Sequence, residues 1–170
     1  MHTHANTQYI ALLGFAKHCP INNVVFAIQV GRQLARRGLG LAVGNTKGTF
    51  HHALVAASGL GGRACAVLDP SQLTWINYTL DSVTRCQSQD VKHQLLAQKA
   101  DAGIMIGGGP GTEKLMNRLL NQQKPVVALQ GSGGITDELA TDLIPQFAAV
   151  NTAIDHLLNK LGHKAPKVAS

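Results

Sequence analysis

Four glycines and a proline stand between an apolar strand and a helix, and this run constrains the fold more than any other feature. The strand Ala102–Ile106 ends directly at Gly107-Gly108-Gly109-Pro110-Gly111-Thr112, and a helix is predicted over Thr112–Asn121. Glycine permits positive φ angles and lets a ligand approach the backbone closely. The free N–H groups and the dipole of a helix start attract anions. The run therefore predicts a phosphate-binding loop, in which Thr112 caps the helix or donates its hydroxyl to a phosphate oxygen.

Alternating strands and helices along the chain predict an α/β fold. Apolar runs predict strands at Tyr9–Leu13, Leu39–Val43, Ala64–Leu68, Ala102–Ile106 and Val126–Leu129, with a further short strand near Trp75–Tyr78. Helical spacing predicts helices from a cap at Asn22 or Asn23 to Gly38, over Thr49–Ser58, Asp90–Ala100 and Thr112–Asn121, and from about Thr136 to Leu161. This order implies parallel strands joined by right-handed crossovers. We therefore expect a Rossmann-like open, mainly parallel sheet with helices on both faces.

The length and composition fit one domain. With 170 residues, of which 45% are hydrophobic, the chain is predicted to form a single Rossmann-like nucleotide-binding domain over 1–170, with flexible ends at 1–7 and 164–170. No apolar run approaches the roughly 20 residues that span a bilayer, and the N-terminus lacks a signal-peptide pattern. The three cysteines are too widely spaced for a disulfide framework or a metal motif. We expect a cytoplasmic protein with no membrane partner and no metal site.

Basic residues dominate the first half of the chain. Up to Leu80 the only acidic residue is Asp69, against six lysines and arginines. This balance of charge attracts phosphate-bearing ligands. Nucleic acid is the competing partner, but the sequence has no dense Lys/Arg run interleaved with aromatic residues and no zinc-finger spacing. A small molecule that carries a phosphate is therefore favoured over nucleic acid.

Other glycine loops are predicted to lie at the same edge of the sheet, because the carboxyl ends of parallel strands meet there. The loop Gly44-Asn45-Thr46-Lys47-Gly48 follows the second strand. Its Lys47 is either the charge partner of a phosphate or a solvated surface lysine. The loop Gly131-Ser132-Gly133-Gly134 follows another strand and resembles a second anion-binding turn. Gly14, at the end of the first strand, completes the predicted ligand-binding set.

Two common nucleotide motifs do not fit the chain. No Lys-Ser/Thr pair follows the last glycine of the main loop, so the loop is not a P-loop. The dinucleotide pattern GxGxxG fits Gly107, Gly109 and Thr112 in part, but its third glycine is missing and the loop lies late in the chain. A nicotinamide or flavin dinucleotide is therefore disfavoured.

Taken together, the loops resemble those of the lonely-guy (LOG)-like superfamily, also called lysine-decarboxylase-like. The resemblance covers roughly Tyr9 to Leu139. It rests on Gly14, Gly38-Leu39-Gly40, Gly44 to Gly48, Ala100-Asp101-Ala102, the signature Gly107 to Thr112, and Lys124-Pro125-Val126-Val127. It implies a Rossmann-like fold, a nucleotide-type ligand and a homo-oligomer, either a dimer or a tetramer.

The signature departs from that of the LOG hydrolases, which release ribose 5-phosphate from nucleoside monophosphates. Their signature reads Pro-Gly-Gly-x-Gly-Thr-x-x-Glu, whereas here Gly107 stands at the proline and Leu115 at the glutamate. A leucine cannot act as an acid or a base. No Arg-Lys pair precedes Ala100-Asp101, where the hydrolases carry their catalytic arginine. The candidates left for a catalytic role are Glu113, Lys92, Lys99 and Arg85.

The form Gly-Gly-Gly-x-Gly-Thr is similar to that of the branch that includes the molybdenum-cofactor carrier proteins. The leading hypothesis is a carrier or sensor that binds a phosphate-bearing small molecule, either a nucleotide or a pterin such as the molybdenum cofactor. The alternatives are a nucleoside 5′-monophosphate phosphoribohydrolase and a structural or regulatory subunit without a ligand. The sequence assigns no role to His51, His52 or Cys86.

Overall fold

A computed structural model describes residues 6–72, 80–139 and 143–162. The strands are β1 (Tyr9–Gly14), β2 (Gly40–Val43), β3 (Ala64–Leu68), β4 (Ser82–Arg85), β5 (Ala102–Ile106), β6 (Val126–Leu129) and β7 (Gln146–Phe147). The helices are α1 (Ile21–Arg36), α2 (Thr49–Gly59), α3 (Gln89–Lys99), α4 (Pro110–Asn121), α5 (Gly134–Glu138) and α6 (Val150–Lys160). The seven strands form one sheet in the order β4-β3-β2-β1-β5-β6-β7, and every pairing is parallel. This arrangement confirms the predicted Rossmann-like α/β fold.

Helices cover both faces of the sheet, which explains the continuous apolar runs of the central strands. Side chains alternate between the faces, as strand geometry requires. In β1, Ile10 and Leu12 pack with α1, α2 and α6, whereas Ala11 and Leu13 pack with α3 and α4. Strands buried on both faces carry apolar residues at every position, and the apolar runs therefore located β1, β2, β3, β5 and β6.

The strand order creates a switch point between β1 and β5. From β1 the chain builds outward through β2 and β3 to β4, and it then returns to place β5 on the other side of β1. The two strands stay paired to their ends, where Gly14 lies opposite Ile106. Chain segments that leave neighbouring strands in opposite directions open a crevice at their carboxyl ends, where ligands of such sheets bind. This position therefore locates the candidate site.

Two predicted helix caps were wrong. Helix α1 begins at Ile21 after Pro20 and has no side-chain cap, so neither Asn22 nor Asn23 has that role. Asn23 is 1% exposed, and its Nδ2 donates a hydrogen bond to the carbonyl of Ser132 at 2.9 Å. Helix α4 begins at Pro110, with Gly109 at the N-cap and no side-chain cap from Thr112. Proline suits the first helical position because its missing N–H would have no helical partner there.

The outer strands differ from the prediction. The strand expected near Trp75–Tyr78 lies outside the described residues, whereas β4 was not predicted because all four of its residues are exposed. The single helix expected from Thr136 to Leu161 was also wrong. Helix α5 ends at Glu138, β7 follows, and α6 begins at Val150. Pro145 lies directly before β7, where its fixed φ and missing N–H oppose a continuous helix. The predicted flexible ends fall largely outside the described residues.

Candidate functional site

A cleft of about 600 Å³ opens at the carboxyl edge of the sheet, beside the ends of β1 and β5. Its apolar lining comprises Leu12, Leu13, Phe15, Phe50, Leu96 and Leu115. Its charged and polar side chains are Lys17, Asn45, Gln72, Gln89, Lys92 and His93, and Gly109 to Thr112 form the remaining wall with Gly14 and Gly44. The second half of the predicted phosphate-binding loop, Gly109 to Thr112, therefore lies on this cleft.

The first half of the signature loop is packed against its neighbours. Gly107 has φ +69° and Gly108 has φ +110°, which are conformations that favour glycine. A Cβ at Gly107 would lie 2.6 Å from the Phe15 ring, and one at Gly108 would lie 2.3 Å from the Thr112 hydroxyl. These two glycines are therefore required by the backbone conformation and by the packing.

Hydrogen bonds from the segment after β6 hold this packed half in place. The N–H of Gly107 donates to Ser132 Oγ at 2.8 Å, and Thr136 Oγ1 donates to the Gly107 carbonyl at 2.9 Å. The N–H of Ile135 donates to the Gly108 carbonyl at 2.9 Å. A Cβ at Gly134 would lie 2.3 Å from that same carbonyl oxygen. The loop Gly131–Gly134 thus supports the signature loop from behind, and its described residues do not line the cleft.

The second half of the signature loop is open to the cleft. A Cβ built at Gly109 has no atom within 4 Å, and the φ of Gly109, −127°, is an ordinary extended value. The first helix-type hydrogen bond runs from the N–H of Glu113 to the Gly109 carbonyl at 3.1 Å. The N–H groups of Gly111 and Thr112 therefore precede the hydrogen-bonded part of α4, as is typical of the first turn of a helix. Such groups, with the helix dipole behind them, form an anion site.

The loop after β2 contributes to the cleft through its first two residues. Gly44 and Asn45 line the cleft, and Asn45 Oδ1 accepts hydrogen bonds from the N–H groups of Thr46 at 2.7 Å and Lys47 at 3.0 Å. Lys47 is exposed and does not line the cleft, while Thr46 is buried. Gly48 packs against the backbone that follows β1. Lys17, by contrast, lines the cleft, so its position suits contact with a ligand better than that of Lys47.

Among the four candidate catalytic residues, Lys92 alone lines the cleft. Glu113 is exposed on the outer side of α4, and Arg85 is exposed on β4. Lys99 lies over the Tyr9 ring with its Nζ 4.4 Å from the ring centroid. None of these three is among the cleft-lining residues. The phosphoribohydrolase alternative, with Glu113 in place of the missing glutamate, therefore has no support in the position of Glu113.

Lys92 holds three segments together rather than standing free. It is 3% exposed, and its Nζ donates to the Gly44 carbonyl at 2.9 Å, to Asp69 Oδ2 at 3.1 Å and to Gln72 Oε1. The hydrogen bond from Ser71, followed by those from Lys92, lowers the pKa of Asp69 below its usual range. A buried ammonium requires such pairing. The three hydrogen bonds fix α3 to the loops that follow β2 and β3.

His93 is the cleft residue that sequence reasoning missed. It is 9% exposed, lines the cleft, and makes no hydrogen bond to any described residue. Burial, followed by the charge of Lys92, lowers the pKa of the imidazole. The signal was the position of Leu96, because residues three and four before a buried leucine share its helix face. That reasoning places both Lys92 and His93 on the inward face of α3.

The described cleft residues include no aspartate or glutamate. The side chain at the position of the hydrolase glutamate, Leu115, is 5% exposed and packs with the core beneath α4. No group of three or more metal-ligating side chains occurs within the described ranges. His51 and His52 contact each other edge to face on α2, and Cys86 is buried after β4. None of these three lines the cleft.

Comparison with known proteins identifies relatives over nearly the whole chain. The sequence model of the SLOG cluster4 family matches residues 7–158. No protein of curated function matches the sequence. No helix within the described segments is long and apolar enough to cross a bilayer.

Three solved structures are similar over most of both chains. The protein TM1055 matches with a TM-score of 0.80 and 21% identity, over 90% of this chain and 99% of the other. The molybdenum cofactor carrier protein of Chlamydomonas reinhardtii matches with a TM-score of 0.77 and 25% identity, over 92% and 99%. The molybdenum cofactor binding protein of the phototrophic bacterium Rippkaea orientalis matches with a TM-score of 0.76 and 21% identity, over 92% and 99%. At these identities the likeness establishes the shared fold.

Proposed function

This chain belongs to the SLOG cluster4 family, which agrees with the LOG-like resemblance, and we propose that it binds a small molecule with a phosphate group and a flat heterocyclic ring. Nucleotides and pterin cofactors form this class. The observation that carries the proposal is the open start of α4, which faces a cleft without a carboxylate among its described lining residues. An anion placed there meets free N–H groups and a favourable helix dipole.

The rest of the cleft suits the other half of such a ligand. Leu12, Phe50 and Leu96 offer an apolar surface against which a ring can pack. Asn45, Gln72 and Gln89 add hydrogen-bonding side chains at the edge. Ligand sites commonly combine a mainly apolar lining with a few polar groups that fix orientation.

The molybdenum cofactor is the specific pterin that we place first. It has a pterin ring and a phosphate, and two structural neighbours are a carrier and a binding protein for this cofactor. In this chain Gly109 to Thr112 would hold the phosphate, and the apolar wall would hold the ring system. The cofactor would be a cargo here, and this chain's residues would bind it and shield it from water.

A phosphoribohydrolase is the second candidate, and the positions of the side chains disfavour it. The hydrolase chemistry needs a carboxylate beside the sugar. Leu115 occupies the expected position, and Glu113 lies outside the cleft. We therefore propose binding without turnover, as expected of a carrier or sensor.

Thermal unfolding with a panel of ligands tests the proposal. A ligand that binds only the folded state raises the melting temperature. The panel comprises inorganic phosphate, nucleoside mono-, di- and triphosphates, dinucleotides, a single-stranded oligonucleotide and enzymatically prepared molybdenum cofactor. We expect a shift with a phosphate-bearing small molecule and no release of ribose 5-phosphate.

Two matched variants locate the binding. Gly109→Asp places a carboxylate at the start of α4, and Gly59→Asp places one at the exposed end of α2, where a Cβ also has no atom within 4 Å. The first should abolish the shift and the second should leave it unchanged. A shift retained in Gly109→Asp would contradict the site, and a panel without any shift would favour a structural subunit. Release of ribose 5-phosphate that Glu113→Gln removes would restore the hydrolase.

We also propose that the chain forms a homo-oligomer, a dimer or a tetramer, as the family resemblance implies. Light scattering coupled to size-exclusion chromatography measures the mass. The mass of one chain, 18.0 kDa, would contradict this proposal.

A further inference from the structure

His93 lines the cleft beside the start of α4, where the anion site is proposed. It lies on the first turns of α3, and its ring approaches the start of α4. A Cβ built at Gly111 would lie 3.9 Å from His93 Cε1 and 4.0 Å from Nε2. The ring therefore lies beside the first residues of α4, where the anion site is proposed.

The imidazole of His93 is enclosed on most sides, yet its ring nitrogens make no hydrogen bond to any residue that the structure describes. Among the described residues, no buried side-chain nitrogen or oxygen lacks a partner. The unpaired ring nitrogens are therefore not sealed in the core, and the accessible part of the side chain lies on the cleft. A ligand in the cleft can supply the hydrogen-bond partner that the protein does not.

The charges around His93 come from every element that packs against it. Lys92 and Asp90 lie on α3, and Lys114 and Arg118 lie on α4. Three of these four groups are cationic, and Asp90 is exposed and paired with Arg118. Lys17, from the segment after β1, lines the same cleft. The free site is therefore electropositive, and it disfavours an additional positive charge on the imidazole until an anion binds.

On the basis of the anion site proposed at the start of α4, we propose that His93 is a ligand-binding residue. Its imidazolium form donates a hydrogen bond to the phosphate. In the free protein the imidazole is neutral, and on binding it takes one proton from the buffer. No covalent bond of the ligand forms or breaks. Affinity for a dianion is then linked to pH.

The direction in which pH changes the affinity follows from the pKa of His93 in the free and the anion-bound protein. Burial and the neighbouring cations lower the pKa of free His93, and a bound dianion beside the ring raises it again. Between these two pKa values, binding is accompanied by proton uptake, so the affinity increases as the pH falls. Uptake of one proton changes the affinity by at most about tenfold per pH unit.

Sulfate is the probe that isolates the protein's contribution. It remains doubly charged over the range of histidine titration, whereas phosphate groups titrate within that range. The dissociation constant of sulfate is measured from about pH 8 to about pH 6 at constant ionic strength, because screening changes such affinities. The full chain is labelled with ¹⁵N in its histidine rings, and NMR reports the protonation of each ring directly.

We expect the affinity for sulfate to rise as the pH falls in the wild-type chain, and to change little in His93→Gln. The matched control is His156→Gln, which removes a histidine that packs on Phe147 and does not line the cleft. This control should keep the wild-type pH dependence. In the wild-type chain at neutral pH, saturating sulfate should move the His93 resonances to those of the imidazolium.

Two results would overturn the inference. One is a pH dependence in His93→Gln equal to that of the wild-type chain, and the other is a His93 ring that stays neutral at saturating sulfate. The ring measurement needs no variant, so it holds even where the substitution disturbs folding. Gly109→Asp separates this inference from the proposed function. If that variant still binds sulfate, the anion site itself is wrong, and if it loses binding while His93→Gln keeps the full pH dependence, the role of His93 alone is wrong.

Discussion

The two halves of the signature loop are both rich in glycine but have opposite surroundings. Gly107 and Gly108 have positive φ angles, and a Cβ at either would overlap with neighbouring atoms. Gly109 has an ordinary extended φ and open space where a side chain would begin, and a Cβ at Gly111 would meet only the edge of the His93 ring. Glycine therefore serves two purposes within a few residues. The first half fixes the position of the loop, and the second half leaves room for a ligand.

The packed half of the loop should therefore determine stability, and the open half should determine ligand binding. Substitutions at the packed glycines or at their hydrogen-bond partners should destabilise the protein, because they introduce overlaps with packed neighbours or leave buried polar groups unpaired. Substitutions in the open half should leave the fold intact and remove ligand binding.

Gly134→Ala should destabilise the protein most. Its Cβ would lie 2.3 Å from the Gly108 carbonyl oxygen, and its φ of +58° disfavours alanine. Overpacking and backbone strain together give an expected loss of about 3 kcal/mol or more. Chemical denaturation measures it. Gly38→Ala is the control, since its φ is +70° but no atom lies near its Cβ, and it should lose about 1 to 2 kcal/mol. Equal losses would show that the contact with Gly108 has no role.

Ser132→Ala should come next, with a loss of about 1 to 3 kcal/mol. The hydroxyl accepts from the N–H of Gly107 and donates to the Leu129 carbonyl at 2.7 Å, and Ser132 is 2% exposed. Its removal leaves a buried N–H without an acceptor. Thr152→Ala removes an exposed hydroxyl that bonds to the Ala149 carbonyl, so its denaturation midpoint should barely change. A loss in Ser132→Ala no larger than that control would mean that the packed half does not depend on this hydroxyl.

The free energy of unfolding should depend on pH through His93, which lies beside the open half of the loop. Because the folded state lowers the pKa of His93, the neutral form is favoured by folding. The resulting stability is fully present above the unfolded pKa of about 6.5 and is lost as the pH falls through the folded value. Denaturation of the ligand-free protein at several pH values should show this loss, and His93→Gln should reduce it. An unchanged pH dependence in the variant would assign the loss to other groups.

Gly109→Asp should change the stability of the free protein least. The position is the N-cap of α4, at which aspartate is preferred over glycine by a few tenths of a kcal/mol. We expect a melting temperature equal to or slightly above that of the wild-type chain, together with loss of the ligand-induced shift. A strongly destabilised variant would show that the second half of the loop is packed in solution, and the contrast between the halves would then fail.

Buried elements were predictable from the sequence, and exposed or short ones were not. The apolar run Ala64–Leu68 predicted β3 with its true bounds, because a strand covered on both faces must be apolar throughout. Ser82–Arg85 carries no such pattern, since both faces of this edge strand are exposed. The two residues of β7 are too few for any periodicity. Local patterns therefore located the centre of the sheet but not its edges.

The candidate site divides in a similar way. The main loop was predicted because clustered glycines mark a backbone conformation that other residues rarely adopt. The structure places Gly109 to Thr112 on the cleft. The support from Ser132 and Thr136 was not predicted, because it joins segments more than 20 residues apart. His93 was missed because the residue type alone does not show whether a histidine is buried or exposed. Pairings between distant segments leave no short-range signature.

The hydrogen bonds to Ser132 have a consequence for the order in which the chain matures. Synthesis proceeds from the N-terminus, and segments begin to fold as they emerge. Gly107 emerges 25 residues before Ser132, which accepts its hydrogen bond, and Asn23 emerges 109 residues before the same serine, to whose carbonyl it donates. A nascent or proteolysed chain that stops before Ser132 thus carries every signature glycine without the geometry that they adopt. The signature alone is therefore not sufficient for the loop geometry, which also needs the chain as far as Thr136.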